Sequence, residues 1–261
     1  MADEDDEGGV LDFTDYGLKK FDIPEGLHPS GLILDQNSIS KIENIDHLQD
    51  LQQLSLASNH LVRMVGVSSF IQLTVLRLSN NSIVNIEGLT DLVYLSWLDL
   101  SGNSIKVIEN LKNNVKLRHL DLSDNNVAVI GPLSSLSILK TLLLHGNILS
   151  SLKPVPTCVP PSVRVLSLES NELCDLNEVC YLASLPDLDQ LSLANNPCVL
   201  MTALTQYPSI QATYDLQLQG EWLYCQGKGR HFHLGEHLQL VTYLPPPVPS
   251  PPQTRYKLIH D

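Results

Sequence analysis

Basic residues are scarce in this chain. Sixteen lysines and arginines face 29 aspartates and glutamates, leaving a formal net charge of −13 over 261 residues. Such a surface is poorly suited to neutralising phosphates, which argues against sequence-independent nucleic-acid binding and against adsorption to an anionic membrane. Long apolar runs are missing as well: none approaches the ~20 residues of a membrane-spanning helix. The opening ten residues, MADEDDEGGV, have neither the basic nor the apolar region of a secretory signal, so an intracellular protein is the expectation. The cysteines are odd in number (Cys158, Cys174, Cys180, Cys198, Cys225), which points to reduced thiols and not to a disulfide framework. Asn80-Asn81-Ser82 spells a glycosylation sequon, but no secretory signal accompanies it. The like-charge run Asp3 to Glu7 reads as a disordered, solvated end.

What the chain does have is a repeat. Asparagine returns at Asn37, Asn59, Asn81, Asn103, Asn125, Asn147, Asn171 and Asn196, with a spacing of 22 residues that lengthens to 24 and 25 at the end. Three and five positions before each stand two leucines: Leu34 and Leu32 in the first repeat, Leu100 and Leu98 in the fourth, Leu193 and Leu191 in the last. Eight positions before lie Leu51, Leu73, Leu95, Leu117, Leu139, Val163 and Leu188, with Pro29 the single departure. The pattern is L-x-x-L-x-L-x-x-N, a leucine-rich repeat.

The L-x-L alternation is the period of a strand, so both leucines point to one face and the residues between them to the other. A lone strand cannot bury its apolar face, but stacked copies form a parallel sheet with a continuous core. Each asparagine stands where the chain leaves the strand, and its amide can both donate to and accept from the backbone groups freed there. Two residues on (Ile39, Leu61, Ile83, Ile105, Val127, Leu149, Leu173) and five residues on (Ile42, Met64, Ile86, Ile108, Ile130, Leu152, Leu176) further aliphatics return the chain. A 22-residue unit leaves no room for a full helix there, so short 3₁₀ or single-turn helices are expected. The fold class is therefore α/β: a horseshoe-shaped solenoid with a parallel β-sheet on its concave face and short helical turns on its convex face.

Four segments follow from this reading. Residues 1–26 form an acidic start and cap, 27–200 the repeats, 201–244 a helical flank suggested by the apolar spacing of Leu216 to Tyr224, and 245–261 a proline-rich disordered tail. The tract PPPVPSPP at Pro245 to Pro252 favours polyproline II, a spacer or a ligand for an SH3 or WW module.

Signals for chemistry are weak. His231, His233, Glu236 and His237 lack the cysteine partners of a structural zinc site, so no metal is expected. Gly227-Lys228-Gly229 has neither the upstream glycine nor the following Ser/Thr of a phosphate loop. His119, Asp121 and Ser123 alternate along one strand, with Cα atoms about 6–7 Å apart, and nothing orients the imidazole as a triad requires. No enzyme and no cofactor are expected. The informative surface is the concave one, where strand residues two, four and six before each asparagine face outward. These include Ile33, Asp35, Val75, Arg77, Trp97, Asp99, His119, Asp121, Leu143, His145 and Glu169. Trp97 is the foremost candidate for a partner contact, because tryptophan in a curved groove is the residue type most enriched at binding hot spots. Leu143 and Val75 add apolar area within two repeats of it.

More specific words lie on this frame: LVRMVGV at Leu61 to Val67, LDLSDNN at Leu120 to Asn126, KTLLLHGNI at Lys140 to Ile148 and DLNE at Asp175 to Glu178. Beyond the repeats stand EWLYCQGKGR from Glu221 to Arg230 and HLQLVTYL from His237 to Leu244. Together they resemble the leucine-rich-repeat scaffold proteins of the centriole, over about residues 20–244. The repeats alone also resemble the wider group that includes the regulatory subunit of protein phosphatase 1. The first resemblance implies a non-enzymatic scaffold in the cytoplasm, at the cytoskeleton and centrosome. It implies that such a scaffold holds the 110-kDa centriolar coiled-coil capping protein and associated centrosomal proteins, and restrains cilium assembly. The second implies, alternatively, a regulatory subunit that binds a phosphatase catalytic subunit through the concave face. No I/L-Q-x-x-x-R-G-x-x-x-R motif stands in the chain, so calmodulin is not an expected partner. Proteins of the centriolar kind usually continue after Asn196-Pro197-Cys198 through a capping segment with a further leucine pair and an L-D-G-like turn. Here only Val199 to Gly220 precede the EWLY stretch, which implies a shortened form with a poorly covered last edge.

Overall fold

The computed structural model describes residues 9–21, 23, 24, 26–199, 222–225 and 230–233. Nine three-residue strands lie side by side in strict chain order: β1 (Val10–Asp12), β2 (Gly31–Ile33), β3 (Gln53–Ser55), β4 (Val75–Arg77), β5 (Trp97–Asp99), β6 (His119–Asp121), β7 (Thr141–Leu143), β8 (Val165–Ser167) and β9 (Gln190–Ser192). Every neighbouring pair is parallel. The register is set by the leucine five before each asparagine, so that Leu32, Leu54, Leu76, Leu98, Leu120, Leu142, Leu166 and Leu191 form one row across the sheet. All eight are at least 94% buried. A one-residue slip would turn the whole row outward, which is why the register admits no alternative.

Behind the sheet the expected returning aliphatics fill a single continuous core, with Ile42 only partly covered at its margin. Short helical turns do appear on the convex side: 3₁₀ helices at Val65–Ser69 and Leu176–Ser184, and one α-helical turn, α1 (Val155–Cys158), opened by Pro154. The other returns are bends and turns.

The asparagines do what their spacing predicts. In the central repeat Asn125 Nδ2 donates to the carbonyls of Leu122 and Ser123 in its own turn and to that of Leu100 one repeat back, while its Oδ1 accepts the N–H of Ile105 at 2.9 Å. The same set recurs from Asn37 to Asn196. The turn also makes a demand that the leucine spacing does not reveal. The residue just before each asparagine (Gln36, Ser58, Asn80, Gly102, Asp124, Gly146, Ser170, Asn195) has a positive φ between 52° and 64°. Only glycine reaches that region without steric cost, and Asn and Asp reach it with little.

Two expectations need correcting. The segment before the repeats is more than a cap: Val10–Asp12 adds a ninth strand to the sheet, paired with β2. Within the flank expected to be helical, Trp222–Cys225 and Arg230–His233 instead form an antiparallel hairpin, β10 and β11. The rest of the flank, the proline tract and the acidic run at residues 3–7 lie outside the described residues. So does the chain at 200–221; in the last described repeat Leu191 and Leu193 are 6% and 2% exposed.

Candidate functional site

The concave face is a grid set by register. Gln53, Val75, Trp97, His119 and Thr141 form one row from β3 to β7, and Arg77, Asp99, Asp121 and Leu143 form the next from β4 to β7. A third row, at the strand exits, holds His145 and Glu169. The nine candidates from Val75 to Glu169 thus occupy one continuous surface, with Ile33 and Asp35 on its N-terminal side.

At its centre Trp97 and His119 stack face to face, with ring centroids 3.5 Å apart and planes 8° from parallel. The stack leaves His119 only 5% exposed. Burial pushes its pKa down to about 4, against a smaller upward pull from Asp99, so the imidazole is neutral at physiological pH. Its Nδ1 has no hydrogen-bond partner, and the same holds for Nδ1 of His145, Nε of Arg77 and Oγ of Ser167. Four unpaired buried polar atoms on one face are unusual, since such groups are nearly always satisfied.

The acidic candidates are less available than their exposure in the sequence suggested. Asp99 and Asp121 each fold onto the serine two residues on: Asp99 accepts from the Oγ and N–H of Ser101 at 2.7 and 3.0 Å, and Asp121 from those of Ser123 at 2.6 and 2.9 Å. Asp35 does the same across a repeat boundary with Ser55 and Ala57. Arg77 Nε stands 4.0 Å from Asp99 Oδ2. Burial raises the Asp121 carboxyl's pKa, with the Ser123 hydrogen bonds working against it. Glu169 accepts from Ser192 and Asn195 of the last repeat. His119 and Asp121 lie on β6 and Ser123 two residues past it, without triad geometry: Asp121 engages Ser123, while the imidazole lies against Trp97.

Sequence reasoning missed the buried polar residues that floor this face, among them Thr141, Ser167 and Ser123. Their only signal was position, because small hydroxyl residues at outward strand sites look like ordinary solvated surface. Among the described residues no group of His, Cys, Asp and Glu could hold a metal ion, and no helix is long and apolar enough to cross a membrane. His231 and His233 fall in β11, and Glu236 and His237 lie outside the described residues.

A parallel sheet that adds one strand per asparagine is a leucine-rich-repeat solenoid, and the family model described as "Leucine-rich repeat" matches residues 88–211. The chain is a leucine-rich-repeat protein. Among solved structures it resembles an internalin, InlF, from Listeria monocytogenes, with a TM-score of 0.57, 27% identity, and coverage of 65% of this chain and 51% of that one. Relatives named centrosomal protein of 97 kDa match it along most of its length. The Mus musculus protein is 53% identical over 91% of this chain and the Xenopus laevis protein 51% identical over 92%. The chain spans about 30% of the length of these relatives, covering 30% of the first and 32% of the second.

Proposed function

We propose that the chain is a non-enzymatic interaction scaffold of the centrosome, docking a partner along the concave face around Trp97. The homologues' name supports the compartment, and the Trp97–His119 stack carries the docking reading. It fixes a large aromatic surface at the middle of the groove, between the aliphatic side chains of Val75 and Leu143, where a partner's apolar side chain would be fully desolvated.

By this reading the partner is the 110-kDa centriolar coiled-coil capping protein, and the complex restrains cilium assembly. The test is capture of that protein from cell extract by wild-type chain and by Trp97→Ala and Leu143→Asp, beside localisation of tagged copies. Loss of both capture and centriolar signal in the variants supports the groove. Undiminished capture and localisation would remove it as the docking surface.

A further inference from the structure

A second surface lies at the rim where the chain enters the strands, away from the groove. The turn leading into each strand there exposes an aliphatic side chain in three successive repeats: Ile71, Val93 and Val115 are 47%, 42% and 47% exposed. They occupy equivalent places, ten residues before Asn81, Asn103 and Asn125, so they form a column about 10 Å long at one repeat spacing per step. Solitary exposed aliphatics are ordinary, but a column of them is not.

Beside this column runs a row of positive charge. Arg118, Lys140 and Arg164 each stand seven residues before an asparagine. Backbone hydrogen bonds tie them into one row: Lys140 N–H donates to Arg118 O and Arg164 N–H to Lys140 O, both at 2.8 Å. Arg164 is neutralised by Asp189 at 2.5 Å, which closes the row at that end. Arg118, Lys140 and Lys116 have no carboxylate within ion-pair distance among the described residues. Lys116 joins row to column by lying 4.1 Å from the ring of Tyr94, itself 43% exposed.

In a chain with a net charge of −13, concentrating unpaired cations beside aliphatic side chains selects a partner. We infer that this rim docks an acidic peptide segment bearing bulky apolar side chains, its carboxylates on Arg118, Lys140 and Lys116 and its apolar groups on Val93 and Val115. A nucleic acid would match the charge but gain little from the aliphatic column.

The test is selection of a random peptide library displayed on phage against the whole chain, with subtraction on the Arg118→Glu/Lys140→Glu variant. The substituted side chains lie outside the core, and thermal melts matching wild type verify that each variant is folded. The subtracted pool is expected to be rich in Asp and Glu together with Leu, Phe or Trp. A synthetic peptide from it should bind the charge-reversed variant at least about tenfold more weakly. It should also bind Val93→Ser/Val115→Ser more weakly, lose affinity with added salt, and bind Trp97→Ala as it binds wild type. A pool no more acidic than the input library would overturn the inference. So would full affinity for the serine variant, dependence on Trp97, or equal binding of a single-stranded oligonucleotide at the same rim. Because Trp97→Ala is read in parallel, failure here is distinguishable from failure of the groove.

Discussion

Glu178 reaches from its own repeat into the preceding one to accept the backbone N–H of Leu152 at 2.7 Å. Its carboxylate also accepts from Ser151 Oγ at 2.7 Å and lies 3.2 Å from Lys153 Nζ. Burial alone would raise its pKa, but the hydrogen bonds from Ser151, Leu152 and Lys153 outweigh it and hold the group below the ordinary value of 4.5.

Glu178→Gln should therefore cost about 1–3 kcal/mol at pH 7, by loss of charge-assisted hydrogen bonds. Because the folded carboxyl has the lower pKa, its contribution is present above pH 4.5 and is lost as pH falls through the folded value. Denaturant titrations of both proteins from neutral to acid pH should show the gap closing. A gap that stays constant would mean that charge plays no part.

Asn125→Asp should destabilise by roughly 3–5 kcal/mol at neutral pH, because a buried carboxylate would face the carbonyls of Leu100, Leu122 and Ser123, which now accept from the amide. That surrounding raises the new carboxyl's pKa above its unfolded value. Stability should recover as pH falls and the group protonates, a trend opposite to that for Glu178. Urea midpoints at pH 7 and pH 5 check this.

Asn114→Leu should stabilise the fold by about 1 kcal/mol. The position is fully buried, and its equivalents in neighbouring repeats are Phe70, Leu92 and Leu136. Its Oδ1 has no partner. Its Nδ2 donates to the carbonyls of Leu89 and Leu92, which keep backbone partners in Leu92 N–H and Leu95 N–H. A lower melting temperature in the variant would instead make those side-chain bonds essential to the turn.

His119 ties stability to pH on the acid side of neutrality. Its folded pKa of about 4 lies below the ordinary 6.5. The unfolded chain thus takes up the proton first, and stability is lost as pH falls from 6.5 towards 4. The loss is at most about 3 kcal/mol. Denaturation curves of wild type and His119→Gln across that range should diverge by this amount, and parallel curves would show that the stacked ring titrates normally.

The repeats were legible because two short-range rules act together in every unit: alternate leucines must share a face, and an amide must satisfy the turn. Those rules assign the rows to which Val75, Trp97 and His119 belong. They do not reveal that two rings on adjacent strands close on each other, since that depends on rotamers and on neighbours 22 residues away. Nor do they show that Asp99 and Asp121 turn back onto Ser101 and Ser123, an arrangement visible only as D-x-S. Val10–Asp12 escaped notice because it joins the sheet without the leucine pair or the asparagine. At Trp222–Cys225 apolar spacing over so few residues could not separate helix from strand, and the hairpin partner at Arg230–His233 decides it.

The asparagine column also gives the solenoid a direction. Each side chain reaches only backwards: Asn37 completes the turn at Leu18, Asn59 that at Ile39, and so on to Asn196, which takes the N–H of Leu173. Within this column a turn is therefore finished by the asparagine of the following coil and not by that of the preceding one. Cutting the chain between two coils therefore takes from the upstream fragment the acceptor of one turn N–H, as loss of Asn125 would from Ile105, so a coil's turn should loosen when the coil after it is removed.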